Sequence, residues 1–212
     1  MRITLLITLL LTSCATRNSQ LQTHNSESIA RISVLGEQDA KGITKAVYER
    51  LKKEYGFVPN SVKLFAQSPV PFQASSIFPK ITTEKDGWDI DPKTRQMIAL
   101  TISACNNCKY EIDTYEALLT ANRVSKETIN AIKNNITDGK LSEKEVTILA
   151  YAYKVNSSQK NITDADIDTL RKAGLSDRQI LEITFVAAWT KANNAIFEAL
   201  DLKPDKTPPP QK

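Results

Sequence analysis

Asp91-Pro92-Lys93-Thr94-Arg95-Gln96-Met97-Ile98-Ala99-Leu100-Thr101-Ile102-Ser103-Ala104-Cys105 is the stretch on which the fold turns. An aspartate followed by proline is an N-cap with proline at the first helical position. The apolar Met97, Ile98, Leu100, Ile102 and Cys105 then recur as on a buried helix, and Asn106-Asn107 interrupt it. A second helix is expected from about Cys108 to Asn122. From this hairpin outward, residues 93–203 contain no proline and only Gly139 and Gly174. Such a block reads as consecutive helices. Ser125 opens one, and three capping-box patterns open others: Ser142/Glu145, Thr163/Asp166 and Ser176/Gln179. The last, roughly 177–200, is the longest and is apolar nearly all round.

Upstream, Asp39 is expected to cap a helix carrying Ile43, Val47, Leu51 and Tyr55, which Gly56 ends. Pro59-Asn60 opens a short helix with Val62, Leu64 and Phe65, and Ser68-Pro69 closes it. Residues 70–80 are expected to form one further helix with Phe72, Ile77 and Phe78. Six glycines in 212 residues are too few for the turns and bulges of a sandwich or barrel. The reading is all-α, with 41% hydrophobic and 25% charged residues sufficient for one packed domain.

The 28 basic and 24 acidic residues are intermixed, for a net charge of +4, and no basic run interleaved with aromatics occurs. Nucleic-acid binding is therefore not expected. The single histidine, His24, falls in a Ser/Asn/Gln/Thr-rich stretch with no apolar period, which reads as solvated tether. A histidine general base, a Cys-His or Ser-His-Asp arrangement and a histidine-dependent zinc site are excluded from the body. Two thiols alone are too few for a closed zinc site, and neither a metal nor a cofactor is expected.

Met1-Arg2 is a short positive segment, and Ile3–Leu11 is apolar but too short to span a bilayer. It ends in Leu11-Thr12-Ser13-Cys14, which resembles a bacterial lipobox. That resemblance implies lipidation of Cys14, a membrane anchor and a cell-envelope location. Ala15, rather than aspartate, favours the outer membrane. The expected organisation is a signal peptide at 1–13, a tether at 14–28, a helical domain at 29–203 and a proline-rich tail at 204–212.

In the body, Cys108, Glu111 and Tyr115 stand at i, i+3 and i+7 and share one helix face. The helix amino end lowers the Cys108 pKa, and Glu111 raises it. Cys105 either reaches Cys108 to form a disulfide in an oxidising compartment or fills an apolar core position. Glu111 and Tyr115 are either proton carriers or an ordinary polar face.

The chain resembles the carboxymuconolactone decarboxylase and alkylhydroperoxidase-D-like (AhpD-like) family. The likeness lies in Arg31-Ile32, Gly56-Phe57-Val58-Pro59-Asn60, Ile98 to Tyr110, Leu141 to Glu145, Ala173 to Ser176 and Asn193-Asn194. It implies an all-α fold and a homo-oligomer. In peroxidase members a glutamate, a Cys-x-x-Cys pair and a histidine form a relay. By spacing, the first cysteine falls on Cys108, the second on Glu111, the histidine on Tyr115 and the glutamate on Gln96. One of the four is retained.

Three functions are open on this reading. The first is a weak thiol-dependent peroxide reductase using Cys108, with Cys105 as resolving partner. The second is a degenerate oligomer that binds a partner or small apolar ligand. The third is a non-redox acid/base enzyme using Glu111 and Tyr115. The small-molecule substrate is not legible.

Overall fold

The computed structural model describes residues 28–138 and 140–206. Cys14, His24, the signal segment, the tether up to residue 27 and the proline-rich tail from 207 lie outside the described residues. Among the described residues there are ten α-helices, one short 3-10 turn and no strand. They are α1 (Gly42–Tyr55), α2 (Asn60–Phe65), α3 (Pro69–Ser75), α4 (Ile77–Thr82), α5 (Pro92–Cys105), α6 (Lys109–Ala121), α7 (Lys126–Asn134), α8 (Glu143–Ser158), α9 (Asp164–Lys172) and α10 (Asp177–Ala199).

Helix α5 is the hub, packing against α4, α6, α7, α8 and α10. Its side chains from Arg95 to Ser103 are all buried, so it is enclosed rather than amphipathic. Asp91 accepts the Thr94 amide at 3.0 Å, and the capping boxes at Ser142, Thr163 and Ser176 all close. The main core joins Met97, Ile98, Leu100 and Ile102 of α5 to Leu119 of α6, Leu149 and Ala152 of α8, and Ile183 and Val186 of α10. Glu182, buried on α10, receives the amides of Asp89 (2.9 Å) and Ile90 (2.9 Å) and so ties the loop before α5 to that core.

Two expectations change. Asp39 does not cap α1. Its amide donates to Gly36 in a turn, Ala40 is buried, and these hold Lys41 extended as the N-cap of a helix that begins at Gly42. Residues 70–80 are not one helix: they divide at Ser76 into α3 and α4. Pro79 has no amide to continue the first helix, but it is harmless as the third residue of a new one, where amides lack intrahelical partners. The last helix, α10, is apolar nearly all round in sequence and buries one face. Leu181, Phe185 and Ile196 are exposed, and with the exposed Ala188, Ala192, Ala195 and Ala199 they make a continuous apolar stripe. Steps of four and three residues from Leu181 through Phe185, Ala188, Ala192 and Ala195 to Ala199 give that stripe the spacing of a helix-packing seam.

Candidate functional site

The α5–α6 turn builds the site. After α5 ends at Cys105, Asn107 adopts φ 54°, a left-handed geometry that asparagine tolerates better than most residues. The chain thereby reverses, and the Cys108 amide bonds Ser103 O at 3.0 Å. Cys108 becomes the N-cap of α6 and is 0% exposed. It lies in a small apolar cluster with Ala30, Leu64, Tyr110, Phe197 and Leu202. Burial pushes its thiol up to about 12. The backbone N–H of Glu111 favours the thiolate, while the carboxylates of Glu111 and Glu198 oppose it.

Glu111 is also 0% exposed, and burial raises its carboxyl to about 8 against the pull of Ser103. Ser103 Oγ lies 3.2 Å from Glu111 Oε2 and 3.3 Å from Asn194 Oδ1. One hydroxyl hydrogen serves one acceptor at a time. Near neutral pH the protonated Glu111 donates to Ser103, and Ser103 donates to Asn194. When Glu111 ionises, the Ser103 hydrogen turns back to the carboxylate. The three side chains form a buried hydrogen-bond chain from α6 through α5 to α10.

Tyr115 is buried one turn beyond Glu111 and packs on Phe78 with ring centroids 6.3 Å apart. Burial and the Glu111 charge place its pKa well above the ordinary phenol value. It is a proton donor at all physiological pH values. Three of the sequence-selected residues, Cys108, Glu111 and Tyr115, thus share one buried face.

Gln96 is not brought to that face. Its Nε2 donates to Thr82 O at 2.7 Å and its Oε1 accepts from Asn122 Nδ2 at 2.8 Å. Asn122 is the C-cap of α6, so this anchor lies at the opposite end from Cys108, roughly 20 Å away at 1.5 Å per residue. Gln96 joins α4 to α6 and takes no part in that hydrogen-bond chain. Cys105 is half-buried, and its sulfur accepts from Asn156 Nδ2 of α8 at 3.3 Å. Cys105 and Cys108 are free thiols, facing α8 and the Phe197 cluster respectively.

Ser103, Asn194 and Glu198 were missed as site residues. Ser103 lies five residues before Cys108 on the preceding helix, and the other two lie on α10. No local spacing signals them.

The hairpin that carries Cys105, Cys108, Glu111 and Tyr115 lies within the segment that resembles a known family. Residues 82–135 match the carboxymuconolactone decarboxylase family.

The chain's fold is that of AhpD-like proteins. A peroxidase-related protein from Ralstonia eutropha JMP134, described as an alkylhydroperoxidase AhpD core, superposes with TM-score 0.78 at 21% identity over 85% of this chain and 95% of that one. A peroxidase-related protein from Silicibacter sp. TM1040 gives TM-score 0.73 at 21% identity over 87% and 96%. The debrominase Bmp8 gives TM-score 0.68 at 21% identity over 86% and 94%. No curated protein matches the sequence. On the buried face of α6, burial brings the Glu111 carboxyl to about 8, close to neutral pH.

That carboxyl sets a pH dependence. From pH 4.5 to about 8 the folded chain keeps a Glu111 proton that the unfolded chain has released. Stability therefore falls as pH rises through this interval, by at most about 5 kcal/mol. Glu111→Gln keeps the shape without the charge. Urea melts are expected to show it equal to wild type near pH 4.5 and more stable near pH 9. A wild-type slope retained in Glu111→Gln would place the buried proton elsewhere.

Proposed function

We propose that this protein is a lipid-anchored cell-envelope oligomer whose Cys108–Glu111 pair slowly reduces small hydroperoxides. The observation that carries the reading is a buried thiol at the amino end of α6 with a carboxyl one turn away whose pKa, about 8, lies near working pH. A general acid or base works best when its pKa matches the operating pH.

In this reaction the Cys108 thiolate attacks the terminal peroxide oxygen. The O–O bond breaks, sulfur gives up two electrons and becomes a sulfenic acid, and the alkoxide leaves. Ionised Glu111 takes the Cys108 proton as the thiolate forms and then passes that same proton to the alkoxide, which becomes the alcohol. Cys105 then condenses with the sulfenic acid, forming a disulfide and water, and an external dithiol reduces the disulfide. The Asn107 turn must shift for the two sulfurs to meet, since they now face different helices.

Fold neighbours support small-molecule chemistry of this general kind. Two are described as peroxidase-related. A cysteine-to-alanine variant of the debrominase was crystallised with 2,3,4-tribromopyrrole.

One observation favours a second reading. The raised Glu111 pKa with the proton-donating Tyr115 beside it suits non-redox acid/base chemistry. The two readings separate on tert-butyl hydroperoxide consumption by the mature protein with a dithiol present. Thiol chemistry requires loss in Cys108→Ser and reduction in Glu111→Gln. An acid/base enzyme shows no consumption in any of them, as does a degenerate binding oligomer.

The exposed seam of α10 supports assembly through a second copy, the partner that the AhpD-like resemblance implies. Light scattering at micromolar concentration is expected to give more than one subunit, and Phe185→Glu to lower that mass toward the monomer. A monomer in wild type would remove the oligomer.

A further inference from the structure

Cys108 is 0% exposed, yet much of what covers it comes from two non-helical segments, residues 28–36 and 201–206. Ala30 and Leu202 close its apolar cluster together with Leu64 of α2. Neither residues 28–36 nor 201–206 belong to a helix. They pair with each other: Arg31 N–H donates to Leu200 O at 2.6 Å and Lys203 N–H to Ile29 O at 2.8 Å. Arg31 also reaches Ala199 O at 2.8 Å through its guanidinium.

The pair is fastened at its far end by Asp205. One carboxylate oxygen accepts the Asn60 amide at 2.7 Å, and the other accepts the Tyr110 hydroxyl at 2.8 Å. Asn60 Nδ2 donates back to Lys203 O at 3.0 Å. At the other end, Leu35 N–H donates to Lys63 O at 3.1 Å, and Tyr48 donates to Leu35 O at 3.1 Å.

We infer that the two segments form a strap that opens as a unit to admit reagents to Cys108 while the helical core stays folded. The strap contributes Ala30 and Leu202 as its buried apolar side chains, whereas α5 alone places Met97, Ile98, Ala99, Leu100 and Ile102 in the main core. Segments with few buried apolar contacts open locally before the whole molecule unfolds. The strap's fastening is polar and concentrated on Asp205, Asn60 and Tyr110, all of which water can replace on opening. This deepens the reading of Cys108 as the reacting thiol, but access can be measured without turnover.

The test is alkylation of Cys108 by iodoacetamide in the full chain, followed by peptide mass spectrometry, which separates it from Cys14 and Cys105. Asp205→Ala removes both Asp205 hydrogen bonds and is expected to speed Cys108 alkylation about tenfold or more. Leu149→Ala, buried in the main core, destabilises the fold without touching the strap and is expected to speed it much less. In wild type the rate is expected to be nearly flat at low urea and to rise only as global unfolding begins. Two results would overturn the strap: a wild-type rate that climbs with urea from zero along the global unfolding slope, or an Asp205→Ala rate no faster than that of Leu149→Ala. Should Asp205→Ala not fold, Tyr110→Phe, which keeps the ring and loses one fastening bond, decides with the urea series. A turnover-dead protein that still shows urea-independent access would keep the strap and remove the peroxidase reading.

Discussion

Cys108→Ser is expected to abolish hydroperoxide consumption by the mature protein, from a wild-type rate that is itself low. Two physical effects set that low rate. A general base contributes typically 10²–10⁴-fold, and the position that the resemblance gives to a histidine holds Tyr115, which stays protonated. Burial also moves the Cys108 thiol from 9.0 to about 12, which lowers the thiolate fraction at neutral pH by about 10³-fold. Serine at this position fits the same N-cap role, so the variant should fold, and its loss of activity then reports chemistry. Peroxide consumption in steady state, and sulfenic-acid trapping in a single turnover, measure it. Turnover that survives Cys108→Ser would remove Cys108 as the reacting thiol. Fast wild-type turnover would mean that the thiol reacts in a more solvated state than the closed one. The strap supplies such a state: once Ala30 and Leu202 move away, water reaches the sulfur and the burial that raises its pKa is relieved.

Cys14→Ser is expected to move the protein from the detergent phase to the aqueous phase and to abolish lipid labelling. The effect is all-or-none. Each buried acyl methylene contributes about 0.8 kcal/mol, so two or three chains give an anchor that no exposed surface of the folded body replaces. Among the described residues no helix is long and apolar enough to cross a membrane. Detergent-phase partitioning unchanged in Cys14→Ser would remove the lipobox reading and leave the envelope location without its main support.

Much of the fold is written in short-range signals. Asp91-Pro92, Ser125, Ser142, Thr163 and Ser176 mark helix starts because a cap acts on an amide two or three residues away, within one turn of its own chain. The turn at Asn106-Asn107 is equally local, and it alone places Cys108 at a helix amino end with Glu111 and Tyr115 on one face. Where local signals failed, tertiary contacts had overridden them: Ala40 is pinned in the core, so the chain entering α1 stays extended past Asp39. At α10 the composition is apolar all round, and only the packing shows which half meets the core and which half is left as a seam.

The site divides in the same way. Sequence by itself determined the all-α class, the absence of histidine from the body and the i, i+3, i+7 face of α6. Only the tertiary structure decided that Gln96 is spent on Thr82 and Asn122, that Ser103 links Glu111 to Asn194, that Cys105 and Cys108 face different helices, and that residues 28–36 and 201–206 close over the thiol. Those facts depend on residues 91 apart for Ser103 and Asn194 and 145 apart for Asn60 and Asp205. Helical periodicity repeats every 3.6 residues and carries no information about which distant turn comes to rest against it. The pKa values follow the same division, because burial dominates at both Cys108 and Glu111, and burial belongs to the assembled core.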